Sequence, residues 1–192
     1  MTDSPTETRG RKRSEQTRLA ILAAAYELTR DVGYQALTIE GIAARAGSGK
    51  QTVYRWWPSK VDVLLEALTL EADLTVSVAD HGSLRADIEA FLRDSAELLV
   101  RPGVAEVLRS LMSEAQQDPD FRLRFQEGFL CKRRAAFESL TTRAAERGDW
   151  PTHLDGAFAA DLVFGLIWYR VLAAEPEITE QDIATFQRLL SA

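Results

Sequence analysis

The sequence predicts an all-α protein of about nine helices, and three observations support this prediction. Apolar residues recur at helical spacing along most of the chain, as at Ile21, Ala25, Leu28 and Val32. Helix caps and glycine or proline stops separate these segments at intervals that suit short and medium helices. No run of alternating apolar and polar residues, which would indicate a half-buried strand, interrupts the pattern.

The N-terminal third is predicted to contain three helices. The first covers residues 14–32 and stops at Gly33, which suits the left-handed position after a helix. Thr38 caps a second, short helix that extends to residue 46. After a tight turn, a third helix runs from residue 50 to about residue 56, before Pro58 breaks it.

Capping and stop residues predict six further helices. The fourth has the apolar stripe Val61, Leu65, Leu68 and Ala72, and the seventh is long, ending at Gly148. Their predicted starts are Ser59 with Asp62, Gly82-Ser83, Pro102 in a first turn, Asp118-Pro119, the region of Phe158, and Thr179 with Asp182.

The net charge of −6 is unevenly distributed along the 192 residues. Residues 1–60 hold 10 Lys and Arg against 6 Asp and Glu, a balance of +4, whereas residues 61–192 hold 13 against 23, a balance of −10. A basic N-terminal segment followed by an acidic remainder predicts that a polyanionic partner binds the N-terminal segment alone.

Several classes of protein are disfavoured by what the sequence lacks. No apolar run approaches the roughly 18 residues that a membrane span needs, and the polar first thirteen residues do not resemble a secretory signal. The lone Cys131 forms no internal disulfide, which favours the cytoplasm, and we expect it to be an inert core residue. His81 and His153 are isolated, so we expect neither a metal site nor a cofactor.

The stretch from Gly47 to Lys60, GSGKQTVYRWWPSK, follows the second short helix directly. Two short helices joined by a glycine-containing turn form a helix-turn-helix, here at about residues 38–57, whose second helix enters the DNA major groove. On that second helix Val53 and Trp57 lie four residues apart and can anchor to the core, which leaves a continuous polar face. Ser48 with Gln51 is a plausible capping box for it.

Residues 21–68 resemble the DNA-binding domain of the TetR/AcrR family of bacterial transcriptional regulators. The matching positions are Ala24-Ala25, Gly33, Thr38-Ile39, Ile42-Ala43, Ala46-Gly47, Thr52-Val53-Tyr54, Ser59-Lys60 and Leu64; Ser48 departs from the small apolar residue usual there. The resemblance implies a homodimer and a small-molecule pocket in the C-terminal domain, with ligand binding tilting the fourth helix and changing the spacing of the two reading heads. It also implies that the last two helices form a four-helix interface with their copies.

The predicted domains are a disordered basic arm at residues 1–13, a DNA-binding domain at 14–60 and an effector-binding and dimerisation domain at 61–192. Side chains expected to meet base edges are Gly49, Lys50, Gln51, Thr52 and Arg55. Those expected at DNA phosphates are Thr38, Tyr54, Trp56 and Lys60. The arm would follow the backbone or minor groove through Arg9, Arg11, Lys12 and Arg13.

Two further sets of residues are expected in the C-terminal domain. Met112, Phe129 and Trp168 are the candidates for the wall of an apolar or amphipathic effector's pocket. The dimer interface is expected to include Phe158, Leu162, Leu166, Tyr169, Ile183, Phe186 and Leu190. Lys132–Arg134 is interpreted as a solvated helical face.

The leading hypothesis is therefore a homodimeric, ligand-responsive repressor that binds double-stranded DNA at a palindromic operator, and two alternatives remain. An all-α enzyme has no visible catalytic constellation, and GSGK is too short for a phosphate-binding P-loop. A DNA-binding architectural or protein-interaction module without an effector is harder to dismiss. An apolar cavity in the C-terminal domain would favour the repressor over this module.

Overall fold

The computed structural model describes residues 5–173 and 175–191, without the side chains of residues 5–11, 13 and 191. Within these ranges the chain forms nine helices and no strand, which confirms the predicted all-α fold. It divides into two compact units. Unit 1 extends to Leu68 and unit 2 begins at Thr69, so the division lies within the fourth helix rather than at residue 60.

Four helices begin in unit 1. They are α1 (Pro5–Ala36), α2 (Ile39–Arg45), α3 (Lys50–Trp56) and α4 (Lys60–Thr75), and α4 continues into unit 2.

Five helices complete unit 2. They are α5 (Leu84–Val100), α6 (Val104–Gln117), α7 (Pro119–Phe125, then a π-helical turn at Gln126–Leu130, then Cys131–Arg147), α8 (Gly156–Leu172) and α9 (Glu180–Ser191). No helix in the described residues is long and apolar enough to cross a bilayer.

The start of α1 differs from the prediction. The helix begins at Pro5 rather than at residue 14, so residues 5–13 are helical and not a disordered arm. Pro5 suits a first helical turn, and the Glu, Arg and Lys residues that follow are good helix formers. Gly33 does interrupt the helix, with φ of 77°.

Most predicted helix ends are confirmed by their local geometry. The Thr38 hydroxyl accepts the amide of Gly41, and Asp118 accepts two amides at the start of α7. Thr179 and Asp182 form the reciprocal capping box at α9, and Gly148 ends α7 with φ of 79°.

One predicted helix start and one predicted helix cap are wrong. Gly103 takes a left-handed conformation, φ 89°, so α6 begins after it and Pro102 lies outside the helix. Gly49, not Ser48, is the N-cap of α3, and it provides no side-chain cap. The Ser48 hydroxyl is instead buried, without a hydrogen-bond partner among the described residues.

Each unit has its own apolar core. In unit 1 the fully buried side chains include Ile21, Ile42, Val53 and Leu64, one from each of its four helices. In unit 2 the core is built around Phe91, Phe121, Phe125 and Phe137. The rings of Phe91 and Phe137 pack edge to face, with centroids 5.4 Å apart.

Candidate nucleic-acid interface and ligand cavity

The turn between α2 and α3 is fixed by its backbone. Gly47 has φ of 62°, a left-handed conformation that other residues rarely adopt. The amide of Gly47 donates to the carbonyl of Ala44, and the amide of Ser48 donates to that of Ala43 at 2.9 Å. This Schellman arrangement closes α2 and directs the chain into α3 three residues later.

Helix α3 is anchored on one side only. Val53 is fully buried and Trp57, just past the helix, is 3% exposed, as the spacing predicts. The Trp57 indole N–H donates to the Glu66 carboxylate on α4 at 2.7 Å. Because this side is fixed, the opposite face of α3 is presented to solvent.

A cation at the end of α2 contacts α1. Arg45 in its last turn pairs with Glu27 and Asp31 of α1, both at 3.3 Å. These exposed pairs contribute little stability individually, but they tie the end of α2 to α1. The helix-turn-helix is anchored through both helices, at α2 by the buried Ile39, Ile42 and Ala43 and at α3 by Val53 and Trp57.

The residues predicted to read bases lie together on the free side of α3. Gly49, Lys50, Gln51 and Arg55 are exposed and Thr52 is half-buried. Lys50 makes an exposed, 3.7 Å pair with Glu40, and its ammonium can exchange that partner for DNA. These donors and acceptors are of the types that hydrogen-bond base edges in the major groove.

Three residues predicted at phosphates flank this face. Thr38 and Tyr54 are exposed, and Thr38 uses its oxygen to cap α2 but keeps its O–H for donation. Trp56 is half-buried, beneath the Arg55 guanidinium at 5.1 Å and edge to face with Trp57. A shallow groove of about 390 Å³ runs alongside, lined by Ser14, Thr17, Gly47, Ser48, Gly49, Thr52, Arg55 and Trp56; Ser14 and Thr17 were not singled out by the sequence.

Lys60 has internal partners that the sequence did not reveal. Its ammonium donates to the carbonyls of Tyr34 and Leu37, each at 3.0 Å, and lies 4.3 Å from the centre of the Tyr34 ring. Lys60 therefore ties the start of α4 to the end of α1. Its predicted phosphate contact would have to use the remaining N–H.

Replacing Lys60 with methionine is expected to lower the free energy of unfolding by about 1–3 kcal/mol, because two partly buried carbonyls lose a charged donor. Urea unfolding followed by tryptophan fluorescence measures this. Lys50→Met is the matched control, and it should change stability by less than about 0.5 kcal/mol since Lys50 is exposed. Equal stabilities of the two variants would show that the Lys60 contacts are not stabilising.

The structure describes only some of the side chains of the predicted basic arm. Lys12 is exposed on α1. The side chains of Arg9, Arg11 and Arg13 lie outside the described residues.

Unit 2 contains a cavity of about 480 Å³ between α5, α6, α7 and α8, next to Val76 just beyond α4. Its wall is mostly apolar and includes Met112, Phe129 and Trp168, the three residues named from the sequence. Phe125 stacks on Phe129 at 5.9 Å and meets Trp168 edge to face at 6.2 Å. The cavity has the size and lining typical of small-molecule sites.

Two interpretations of α7 are wrong. Arg133 is buried, 8% exposed, and lines the cavity, so it does not belong to a solvated face. Cys131 is exposed and also lines the cavity, so it is not a core residue. The reason is helical phase: the buried positions are Phe129, Arg133 and Phe137, four residues apart, and Cys131 falls between them.

Helix α8 is apolar on both sides. Ala159, Val163 and Ile167 are buried in the core of unit 2. On the opposite side the large side chains are exposed: Phe158 at 56%, Leu162 at 37%, Tyr169 at 69% and Leu172 at 57%. Leu166 lies between the two faces, half-buried.

The predicted interface residues on α9 are placed differently. Ile183, Phe186 and Leu190 are 9% exposed or less, so they belong to the core of this chain rather than to a free surface. Helix α9 has one apolar stripe, and this stripe packs against α5. Polar contacts between the same two helices add to the packing: Gln187 donates to Glu89 at 2.9 Å, and Arg93 pairs with Glu180. Leu189, 55% exposed, is the large apolar side chain that α9 leaves in solvent.

Comparison with known proteins assigns both parts of the chain. Residues 21–67 match the family described as bacterial regulatory proteins, tetR family, and residues 78–189 match the tetracyclin repressor-like C-terminal domain.

Full-length relatives and solved structures agree with this assignment. The HTH-type transcriptional regulator YdeS of Bacillus subtilis (strain 168) is 33% identical over 91% of this chain and 88% of its own. The DNA-binding transcriptional repressor TetR of Mycobacteroides abscessus is 26% identical over 85% of this chain and 86% of its own. The crystal structure of the TetR family regulator SCO0332 superposes with a TM-score of 0.77 at 27% identity, over 90% of this chain and 94% of that one. With the exposed polar face of α3 in a helix-turn-helix, these matches show that the chain belongs to the TetR family of DNA-binding transcriptional regulators.

Proposed function

We propose that the protein is a homodimeric repressor that binds a palindromic DNA operator and is released by a small molecule bound in the unit 2 cavity. The observation that carries the proposal is the pairing, in one chain, of a solvent-facing polar α3 with an apolar cavity of about 480 Å³. A chromosomal operator would place the protein in the cytoplasm.

The exposed face of α8 supports the dimer. A large apolar helix face needs cover, and among the described residues Phe158 and Tyr169 remain more than half exposed and Leu162 more than a third exposed. A second copy placing the same helix against them would cover both faces at once, as a two-fold interface requires. Two linked reading heads would then contact half-sites one DNA turn, roughly 34–36 Å, apart.

The cavity supports a ligand-responsive regulator over the architectural module. A bundle that served only to dimerise would need no internal space, since protein interiors are normally close-packed. Membership in a family of regulators gives no support to the all-α enzyme. One relative in fold, FadR of Bacillus subtilis, was solved with stearoyl-CoA, at 18% identity and a TM-score of 0.69; it shows the fold, and we assign no ligand from it.

The test is selection of bound fragments from the genomic DNA of the source, followed by titration of the best fragment against salt. A shared palindrome bound at nanomolar affinity, with a steep salt slope, is expected. Weak binding without a shared motif would contradict the operator.

Gln51→Ala is expected to change base preference at one position in each half-site, by about 1–3 kcal/mol. Tyr54→Phe should weaken binding to all sequences alike, because a phosphate contact positions the protein without reading sequence. Gln35→Ala is the matched control, because it removes an exposed amide at the end of α1. It should change neither the base preference nor the overall affinity for DNA. Repeating the selection with each variant measures this, and an unchanged motif for Gln51→Ala would remove that residue from base reading.

A further inference from the structure

The cavity wall is positively charged. Among the described residues that line it there are three arginines, Arg122, Arg133 and Arg134, and no aspartate or glutamate. The rest of the wall is apolar or uncharged, with aromatic rings on one side. An apolar space with cationic groups and no anionic ones favours a ligand that combines an apolar body with a negative charge.

Two of the three arginines are poorly placed to hold that charge. Arg134 donates to Glu138, to Asp161 at 2.6 Å and to the carbonyl of Ala157 at 2.8 Å, so each of its three guanidinium nitrogens already has a partner. Arg122 is exposed, where a salt bridge contributes little.

Arg133 is different because it is buried and incompletely paired. Its side chain is 10% exposed, and its Nη1 lies 3.7 Å from a carboxylate oxygen of Asp73, which is itself 58% exposed. Its Nη2 is buried, with no hydrogen-bond partner among the described residues. Burial lowers the pKa of Arg133, and the nearby Asp73 opposes that shift; arginine nevertheless stays charged in proteins. A buried, half-satisfied cation is costly, so a ligand that completes its pairing is favoured.

We propose that the effector is a small amphipathic carboxylate, whose apolar body fills the cavity and whose carboxylate pairs with Arg133. The planar guanidinium presents paired donors that match the two oxygens of a carboxylate. This inference rests on the proposed function and specifies the chemistry of its ligand. The ligand would use the unpartnered Nη2, and Asp73 of α4, which lies 3.7 Å from Nη1, would be a second anion close to the bound carboxylate.

The test is isothermal titration of the purified full chain with octanoate and with naphthoate, each beside its uncharged methyl ester. We expect the carboxylates to bind at least about tenfold more tightly than the esters, the size of a charged hydrogen bond. Arg133→Met should abolish that preference, whereas Lys132→Met, which removes an exposed cation one residue away, should retain it. Asp73→Asn should tighten carboxylate binding, because it removes a negative charge close to the bound carboxylate.

Two outcomes with the wild type would overturn the proposal: esters that bind as tightly as the acids, or no binding of either carboxylate. Two outcomes with the variants would also overturn it: an Arg133→Met variant that binds the acids normally, or an Asp73→Asn variant whose affinity for the acids is unchanged or weaker. Asp73 is exposed, so its variant remains informative even if Arg133→Met fails to fold, which thermal melts would reveal. The titration contains no DNA, so loss of the carboxylate preference and failure of operator binding are separate results.

Discussion

Substituting Phe158 and Tyr169 together with glutamate is expected to convert the protein to a monomer and to abolish tight operator binding. Both side chains are more than half exposed, on the face of α8 that points away from the core of unit 2. Charges buried in an apolar interface lack partners, and large aromatic anchors typically contribute about 2 kcal/mol or more each. We therefore expect the dimer dissociation constant to rise by roughly a thousandfold or more.

Operator affinity should fall with the dimer. A monomer has a single DNA-binding domain, so it loses the gain in affinity that comes from binding two linked half-sites, which is on the order of 10²–10⁴-fold. Sedimentation velocity measures the assembly state, and a titration with operator DNA measures the affinity. Because the substituted side chains lie outside the core, circular dichroism should show an unchanged helical fold.

Leu123→Glu provides the matched control for this experiment. Leu123 is 56% exposed, as Phe158 is, but it lies on α7. We expect this variant to remain a dimer and to bind operator normally. A dimer that survives the Phe158 and Tyr169 substitutions would move the interface away from the exposed face of α8.

The second large effect is expected at Asp87, a buried carboxylate in the first turns of α5. Its side chain is inaccessible to solvent; it accepts the amide of His81 at 2.7 Å and Nη2 of Arg147 at 2.9 Å. Asp87→Ala removes the acceptor of two hydrogen bonds to a charged group, each contributing about 1.5–3 kcal/mol, whereas Arg147 keeps Asp80 and Asp149 as partners. The substitution should therefore lower the free energy of unfolding by about 3–5 kcal/mol, measured by urea denaturation.

The same carboxylate predicts a dependence of stability on pH. Burial raises the pKa of Asp87, but the hydrogen bonds from His81 and the Arg147 guanidinium outweigh this, so its pKa in the folded protein lies below the usual value. A lowered folded pKa means that the stabilisation is complete above the unfolded pKa, about 3.9. It is lost as the pH falls from there through the folded pKa. The stability difference between wild type and Asp87→Ala should shrink in this acidic window.

Asp80→Asn is the control for the Asp87 experiment. Asp80 also pairs with Arg147, at 2.8 Å, but it is 54% exposed. Its removal should cost less than about 1 kcal/mol at neutral pH, as for other surface ion pairs. If Asp80→Asn and Asp87→Ala were equally destabilising, burial of the Asp87–Arg147 pair would not be the source of the effect.

The helix-turn-helix was largely predictable because its determinants are local. The Thr38 cap, the left-handed Gly47 and the buried Val53–Trp57 pair each depend on residues within about four positions of one another. The partners of Lys60 were not predictable in this way, because the carbonyls of Tyr34 and Leu37 lie more than twenty residues earlier in the chain.

A signal for Arg133 was present but ambiguous. It lies four residues from both Phe129 and Phe137, which places it on the apolar stripe of α7. The charged neighbours Lys132 and Arg134 favoured a solvated face instead. Only the packing of α7 against the core shows that the stripe from Phe129 to Phe137 is buried. Arg133 is buried because it lies on that stripe.

The sequence by itself determined the helical fold, most helix ends and the polar face of α3, since caps, glycine conformations and apolar spacing act over one or two turns. Only the tertiary structure decided which apolar face of α8 is buried and that Arg133 lines a cavity. It also decided that the apolar stripe of α9 packs against α5. The physical reason is that an apolar stripe specifies that a helix face must be covered. Which element covers it depends on contacts between residues far apart in the chain.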